Sequence, residues 1–67
     1  MNIYMKLTIP EKMISSLSDL LAPLDIKIGE ARTIGGGRME VDAYVTGKNF
    51  VASKELLQEA GIIVESF

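Results

Sequence analysis

Ile34-Gly35-Gly36-Gly37-Arg38-Met39-Glu40-Val41-Asp42-Ala43-Tyr44-Val45-Thr46-Gly47 is the stretch whose reading decides the fold. Three glycines stand between two runs of strand character, and glycine accepts the left-handed backbone angles that a tight hairpin requires. After them the alternation is strict. Met39, Val41, Ala43 and Val45 face one way; Arg38, Glu40, Asp42, Tyr44 and Thr46 face the other. A hydrophobic period of two marks a strand with one buried face. Gly47 closes it. Backbone N–H groups of the glycine run can also bind an anion, but phosphate loops lead from a strand into a helix N-terminus, whereas this run joins two strands.

Upstream, Asp25 to Ile34 reads as a strand, with Leu24, Ile26 and Ile28 on one face. Its alternation slips at Gly29-Glu30-Ala31, which predicts a bulge at Gly29. Before it, Met13, Ile14, Leu17, Leu20, Leu21 and Leu24 form an apolar stripe at helical spacing, with Lys12, Ser15, Ser16, Ser18 and Asp19 on the other side. This helix is predicted to begin at Pro10, which has no N–H to waste there, and to stop near Ala22 ahead of Pro23. Ile3, Met5, Leu7 and Ile9 alternate with Tyr4, Lys6 and Thr8 as a first strand.

Downstream, a second helix is expected from Asn49 to Ala60, with Phe50, Ser53, Leu56, Leu57 and Ala60 inward. Asn49 suits an N-cap and Gly61 a left-handed residue past the C-terminus. Ile62 to Phe67 forms a last short strand.

The order strand–helix–strand–strand–helix–strand predicts one α+β domain over residues 1–67, of the split βαβ, ferredoxin-like type. Right-handed crossovers place both helices on one face of a four-stranded antiparallel sheet of order 4-1-3-2. Ile3, Met5, Leu7, Met39, Val41, Ala43 and Val45 then point at the helices. Tyr4, Lys6, Thr8, Arg38, Glu40, Asp42 and Tyr44 lie on the open face, the expected binding surface. A solvated face of an antiparallel sheet presents the same pattern.

Composition narrows the chemistry. The 67 residues include no cysteine and no histidine, which removes disulfides, thiolate chemistry, the usual zinc ligands and imidazole catalysis. A net charge of −2 runs against the basic surplus of nucleic-acid binders. No apolar stretch reaches the length of a membrane span. Met1-Asn2-Ile3-Tyr4-Met5-Lys6 lacks the features of a signal peptide, so the expected location is cytoplasmic.

Glu40 and Asp42 are two apart on one strand and share a face, as acid–base pairs or cation ligands do. Lys6 and Arg38 are expected to neutralise them, which favours a structural or solvating role. Tyr4 and Tyr44 are expected on adjacent central strands. RNA-recognition sheets stack bases on such aromatics, but the third strand here, Arg38-Met39-Glu40-Val41-Asp42, carries carboxylates that repel phosphate. Ser15, Ser16 and Ser18 have no activating base and read as polar helix surface.

The stretch Ile14 to Ile28 and the stretch Leu56-Leu57-Gln58-Glu59-Ala60-Gly61-Ile62-Ile63-Val64 resemble the first helix with second strand, and the second helix with last strand, of ACT domains. The resemblance implies a regulatory module that binds a small ligand, often an amino acid, and pairs its sheets edge to edge or face to face. The family's ligand loop between first strand and first helix carries an acidic residue and a glycine. Here that place reads Thr8-Ile9-Pro10-Glu11-Lys12, with no glycine. The expected function is a non-enzymatic binding module acting through protein contacts, as an inhibitor or as a self-associating, dimeric regulator. Its alternative is an ACT-type amino-acid sensor. Neither reading needs a cofactor or a metal.

Overall fold

The computed structural model describes residues 2–66. Strand β1 (Asn2–Pro10) leads through a 3-10 turn (Glu11–Met13) into helix α1 (Ile14–Leu21), and a second 3-10 turn (Ala22–Leu24) leads out of it. β2 (Lys27–Gly35) and β3 (Arg38–Thr46) follow, then a 3-10 turn (Gly47–Asn49), helix α2 (Phe50–Glu59) and β4 (Ile63–Ser66). The four strands form one antiparallel sheet in the order β2-β3-β1-β4, the expected order read from its other edge. Phe67, expected in the last strand, lies outside the described residues.

The inward face of the two central strands carries the core. Met5, Leu7, Ile9, Val41, Ala43 and Val45 are buried together with Leu17 and Leu21 of α1, Leu57 of α2, and Ile62. Both helices therefore cover the same side of the sheet. Ile3, Met39, Phe50 and Val64 pack around this cluster. Each fully buried aliphatic side chain contributes about 1.5–3 kcal/mol relative to exposure, so removal of one of these side chains is felt across a domain this small.

Local chemistry explains the boundaries. Gly36 and Gly37, at φ 64° and 72°, form a two-residue turn in which both central residues are left-handed, and Gly35 before them is also left-handed at 87°. The Gly37 carbonyl then accepts the Glu11 N–H at 2.8 Å, tying the hairpin to the start of the first crossover. α2 ends as its sequence predicts. Gly61 is left-handed at φ 85°. Its N–H donates to the Gln58 carbonyl and the Ile62 N–H to the Leu57 carbonyl, both at 3.0 Å. This paired closure satisfies the last carbonyls of the helix and brings Ile62 onto Leu57 in the core.

Three local expectations are corrected. Pro10 is the last residue of β1, with extended angles, and the first turn after it is 3-10. A 3-10 turn advances the chain with 3.0 residues per turn instead of 3.6, which shifts the phase of the stripe and leaves Ile14 exposed at the surface. α1 ends at Leu21 with Ala22 as its C-cap, as expected ahead of Pro23, and Pro23 sits inside the 3-10 turn Ala22–Leu24 that follows, where its missing N–H costs nothing. Asp25 then turns left-handed at φ 54°, so the strand starts only at Lys27 and Ile28 stays exposed. Asn49 stands at the N-cap of α2 but does not cap it. Its side-chain amide donates to the Leu24 carbonyl at 3.2 Å and ties the start of α2 to the end of the first crossover.

One buried polar group stands out. Ser53 of α2 is fully enclosed, and its hydroxyl has no hydrogen-bond partner among the described residues.

Candidate functional site

The open face is built by register. β1 and β3 pair so that Tyr4 lies opposite Tyr44, Lys6 opposite Asp42 and Thr8 opposite Glu40. The two tyrosine rings meet at 5.7 Å between centroids, tilted by 52°, within the range in which aromatic pairs attract. Lys6, Glu40 and Asp42 share the face with them as the alternation requires.

The residue that organises this face is Arg32, on β2. The bulge expected at Gly29 is present: Ile28 pairs with Ala43, but Ala31, not Glu30, pairs with Val41. The extra residue shifts the alternation by one. Beyond it Ala31 follows the inward side and Arg32 stands opposite Glu40 on the open face. Gly29 has no side chain because there is no room for one; a Cβ there comes within 3.2 Å of the Tyr44 ring and 3.3 Å of the Asp42 Cβ.

Arg32 grips both carboxylates. Its Nη1 donates to Asp42 Oδ2 at 3.1 Å and its Nη2 to Asp42 Oδ1 at 3.0 Å, a two-pronged pair. Nε and Nη2 also donate to Glu40 Oε1 at 3.2 and 3.0 Å. The Tyr4 hydroxyl donates to Asp42 Oδ1 at 2.7 Å. Lys6 pairs with Glu40 at 3.6 Å and with Glu65 of β4 at 3.4 Å, and Arg32 reaches Glu30 at 3.5 Å. Charges of alternating sign thus cross the sheet from one edge strand to the other.

The electrostatics follow from these bonds. Arg32 first, then the Tyr4 hydroxyl, hold the Asp42 carboxyl at about 2, below its ordinary 3.8. Asp42 in turn raises the Tyr4 phenol above its usual value, chiefly by accepting its hydrogen bond. The same two carboxylates push the Arg32 guanidinium further up, Asp42 more than Glu40.

Arg38 does not take the part expected of it. It shares the face by alternation, opposite Pro10 at the end of the β1–β3 ladder. Among the described residues it makes no ion pair with Glu40 or Asp42, because Arg32 occupies them from the neighbouring strand. Arg38 instead lines a cavity of about 230 Å³ with Thr8, Ile9, Pro10, Gly61 and Ile63. A second, more apolar groove of about 370 Å³ lies between α1 and the end of α2, lined by Met13, Ser16, Leu17, Asp19, Leu20 and Ala60. Among the described residues no group of three acidic side chains is placed to hold a metal ion. No helix among them is long and apolar enough to cross a membrane.

No protein-family model matches the chain, and no curated protein is significantly similar to it.

Proposed function

We propose that this chain is a non-enzymatic binding module of ferredoxin-like architecture that docks a protein partner on its open sheet face and acts as an inhibitor or regulator of that partner. The observation that carries the reading is the fixed cluster of Tyr4, Tyr44 and Arg32. Tyrosine and arginine are the residues enriched at interface hot spots. Here their rotamers are held by Asp42 and by each other, so docking costs less side-chain entropy than an unrestrained surface would. Among the described residues no helix covers this side of the sheet.

Catalysis by the same residues is the poorer reading. An acid–base group works best with a pKa near the working pH, and Asp42 is moved away from neutrality, to about 2. Capture from a lysate of the native host tests the proposal. The native chain is expected to retain a partner that Tyr44→Ala loses and that Val51→Ala, an exposed change on α2, keeps. Equal capture by all three chains refutes it.

One observation favours the amino-acid-sensor reading as a second. The 230 Å³ cavity lies on Thr8, Ile9 and Pro10, the end of β1 that leads into the strand-to-helix connection where ACT domains hold their ligand, and Arg38 on its wall is a cation for a carboxylate.

A further inference from the structure

β2 is the least supported strand of the sheet. It is an edge strand of nine residues, paired on one side only, to β3. Every residue from Lys27 to Gly35 except Arg32 is exposed. None belongs to the buried core, and Ile28 and Ile34 are 43% and 49% exposed. The helices shelter the inward side of the two central strands and leave both faces of β2 to solvent. Its outer backbone edge is therefore a template for another strand.

Natural edges are protected by charge and by bulges, and β2 has both. Those charges also select a partner. When a second copy pairs antiparallel about the middle of β2, between its two irregularities, Ala31 falls on the two-fold axis. Glu30 then lies opposite the partner's Arg32, and Arg32 opposite the partner's Glu30. Opposite charges directly across an antiparallel pair attract. Both side chains belong to the open face, since Arg32 Nη1 already reaches Glu30 at 3.5 Å within one chain. A slip of two residues, the smallest that keeps the faces matched, puts Glu30 across from the partner's Glu30 or Arg32 from the partner's Arg32, so repulsion disfavours those registers. Such self-complementarity is what a two-fold interface demands.

We propose that β2 is a self-association edge: two copies pair antiparallel about the middle of β2, centred on Ala31, and join their sheets into one. This goes beyond docking on the open face and uses the backbone edge, so either proposal can fail while the other stands.

Sedimentation velocity on the native chain, from about 10 μM upward to the millimolar concentrations at which weak edge pairs form, is expected to show a concentration-dependent dimer. The chain has no cysteine, so an introduced one reports its own neighbours. Directly opposite Cα atoms in an antiparallel pair are about 4.5–5.5 Å apart, within reach of a disulfide. Ala31→Cys is expected to form a disulfide-linked dimer under mild oxidation, much faster than Val51→Cys on the outer surface of α2. Glu30→Lys replaces two symmetry-related attractions by repulsions and is expected to weaken the dimer roughly tenfold, with an unchanged circular dichroism spectrum. A monomer at every concentration overturns the proposal. So does a dimer that links equally well through position 51, or one that Glu30→Lys leaves unchanged.

Discussion

Ser53→Ala is expected to stabilise the protein, against the usual direction of core substitutions. Ser53 is fully enclosed, and its hydroxyl finds no partner among the described residues. A buried hydroxyl left unpaired costs about 1–3 kcal/mol. Alanine removes that cost and adds a few tenths, about 0.3–0.5 kcal/mol, through its higher helix propensity. Against this stands the lost packing of one oxygen, at most about the 0.8 kcal/mol of a buried methylene. The net is a gain of about 1–2 kcal/mol. With a urea slope near the low end for so short a chain, about 1 kcal/mol/M, the midpoint moves up by about 1–2 M. In a thermal melt each kcal/mol is worth about 4–8 °C at this size. Ser18→Ala, on the exposed side of α1, is the control: it changes propensity without burial and is expected to give only the few tenths. Equilibrium urea unfolding of the three chains decides the matter. If Ser53→Ala is destabilising, or gains no more than Ser18→Ala, the hydroxyl has a partner in solution and the reasoning is refuted.

Gly29→Ala is expected to destabilise by about 1 kcal/mol, near the low end for overpacking. The new methyl meets the Asp42 Cβ at 3.3 Å, on a strand paired along both edges, and only the Tyr44 ring, at 3.2 Å, can swing away. Ring-current shifts of Tyr4 and Tyr44 in a proton NMR spectrum check it: they collapse toward random-coil values if the ring is displaced and persist if the argument is wrong. Acid stability is expected to depend on Asp42. Its carboxyl is lowered from 3.8 to about 2 by Arg32 and Tyr4, so between about pH 4 and pH 2 the unfolded chain binds more protons than the folded one. The stability that this group supplies is therefore present above pH 4 and lost as pH falls toward 2. Asp42→Asn is expected to remove that part of the pH dependence in urea titrations; an identical profile for both chains counts against the network.

Much of this arrangement is legible in the residues. The strict alternation of β3 and the glycine turn define the central hairpin, and the sheet order follows from two β–α–β units joined by it. The meeting of Tyr4 with Tyr44 follows from the same reasoning, because both central strands expose alternate residues on the face the helices do not cover. Arg32 was hidden for a definite reason. Read as an unbroken strand from Ile28, its position falls on the inward side. The slip at Gly29-Glu30-Ala31 announces the bulge, and carrying the alternation across that slip with one extra residue moves Arg32 opposite Glu40. Arg38 misleads for the converse reason: it shares the face of Glu40 and Asp42, but a neighbour along one strand is farther away than a residue across the ladder. Asn49 illustrates a third limit. Its type suits a cap, but a tertiary acceptor, the Leu24 carbonyl, takes its amide, and no local pattern records where that carbonyl will be.

The bulge at Gly29 also links the fold to the face proposed for binding. Glu40 and Asp42 project side by side, and like charges so placed repel. A regular β2 turns Arg32 toward the helix side and leaves these carboxylates with Lys6, which is shared with Glu65. The bulge brings the guanidinium onto both carboxylates, and Asp42, so fixed, accepts the Tyr4 hydroxyl and orients one ring of the aromatic pair. The requirement at position 29 is thus twofold. A residue without a side chain must pass beneath Tyr44 and beside Asp42, and an additional residue must enter the strand there. A substitution at Gly29 therefore acts on the face before it acts on the core, since no residue of β2 lies in the buried cluster. Loss of the Tyr4–Tyr44 arrangement with secondary structure intact is the signature that separates this reasoning from a general loss of stability.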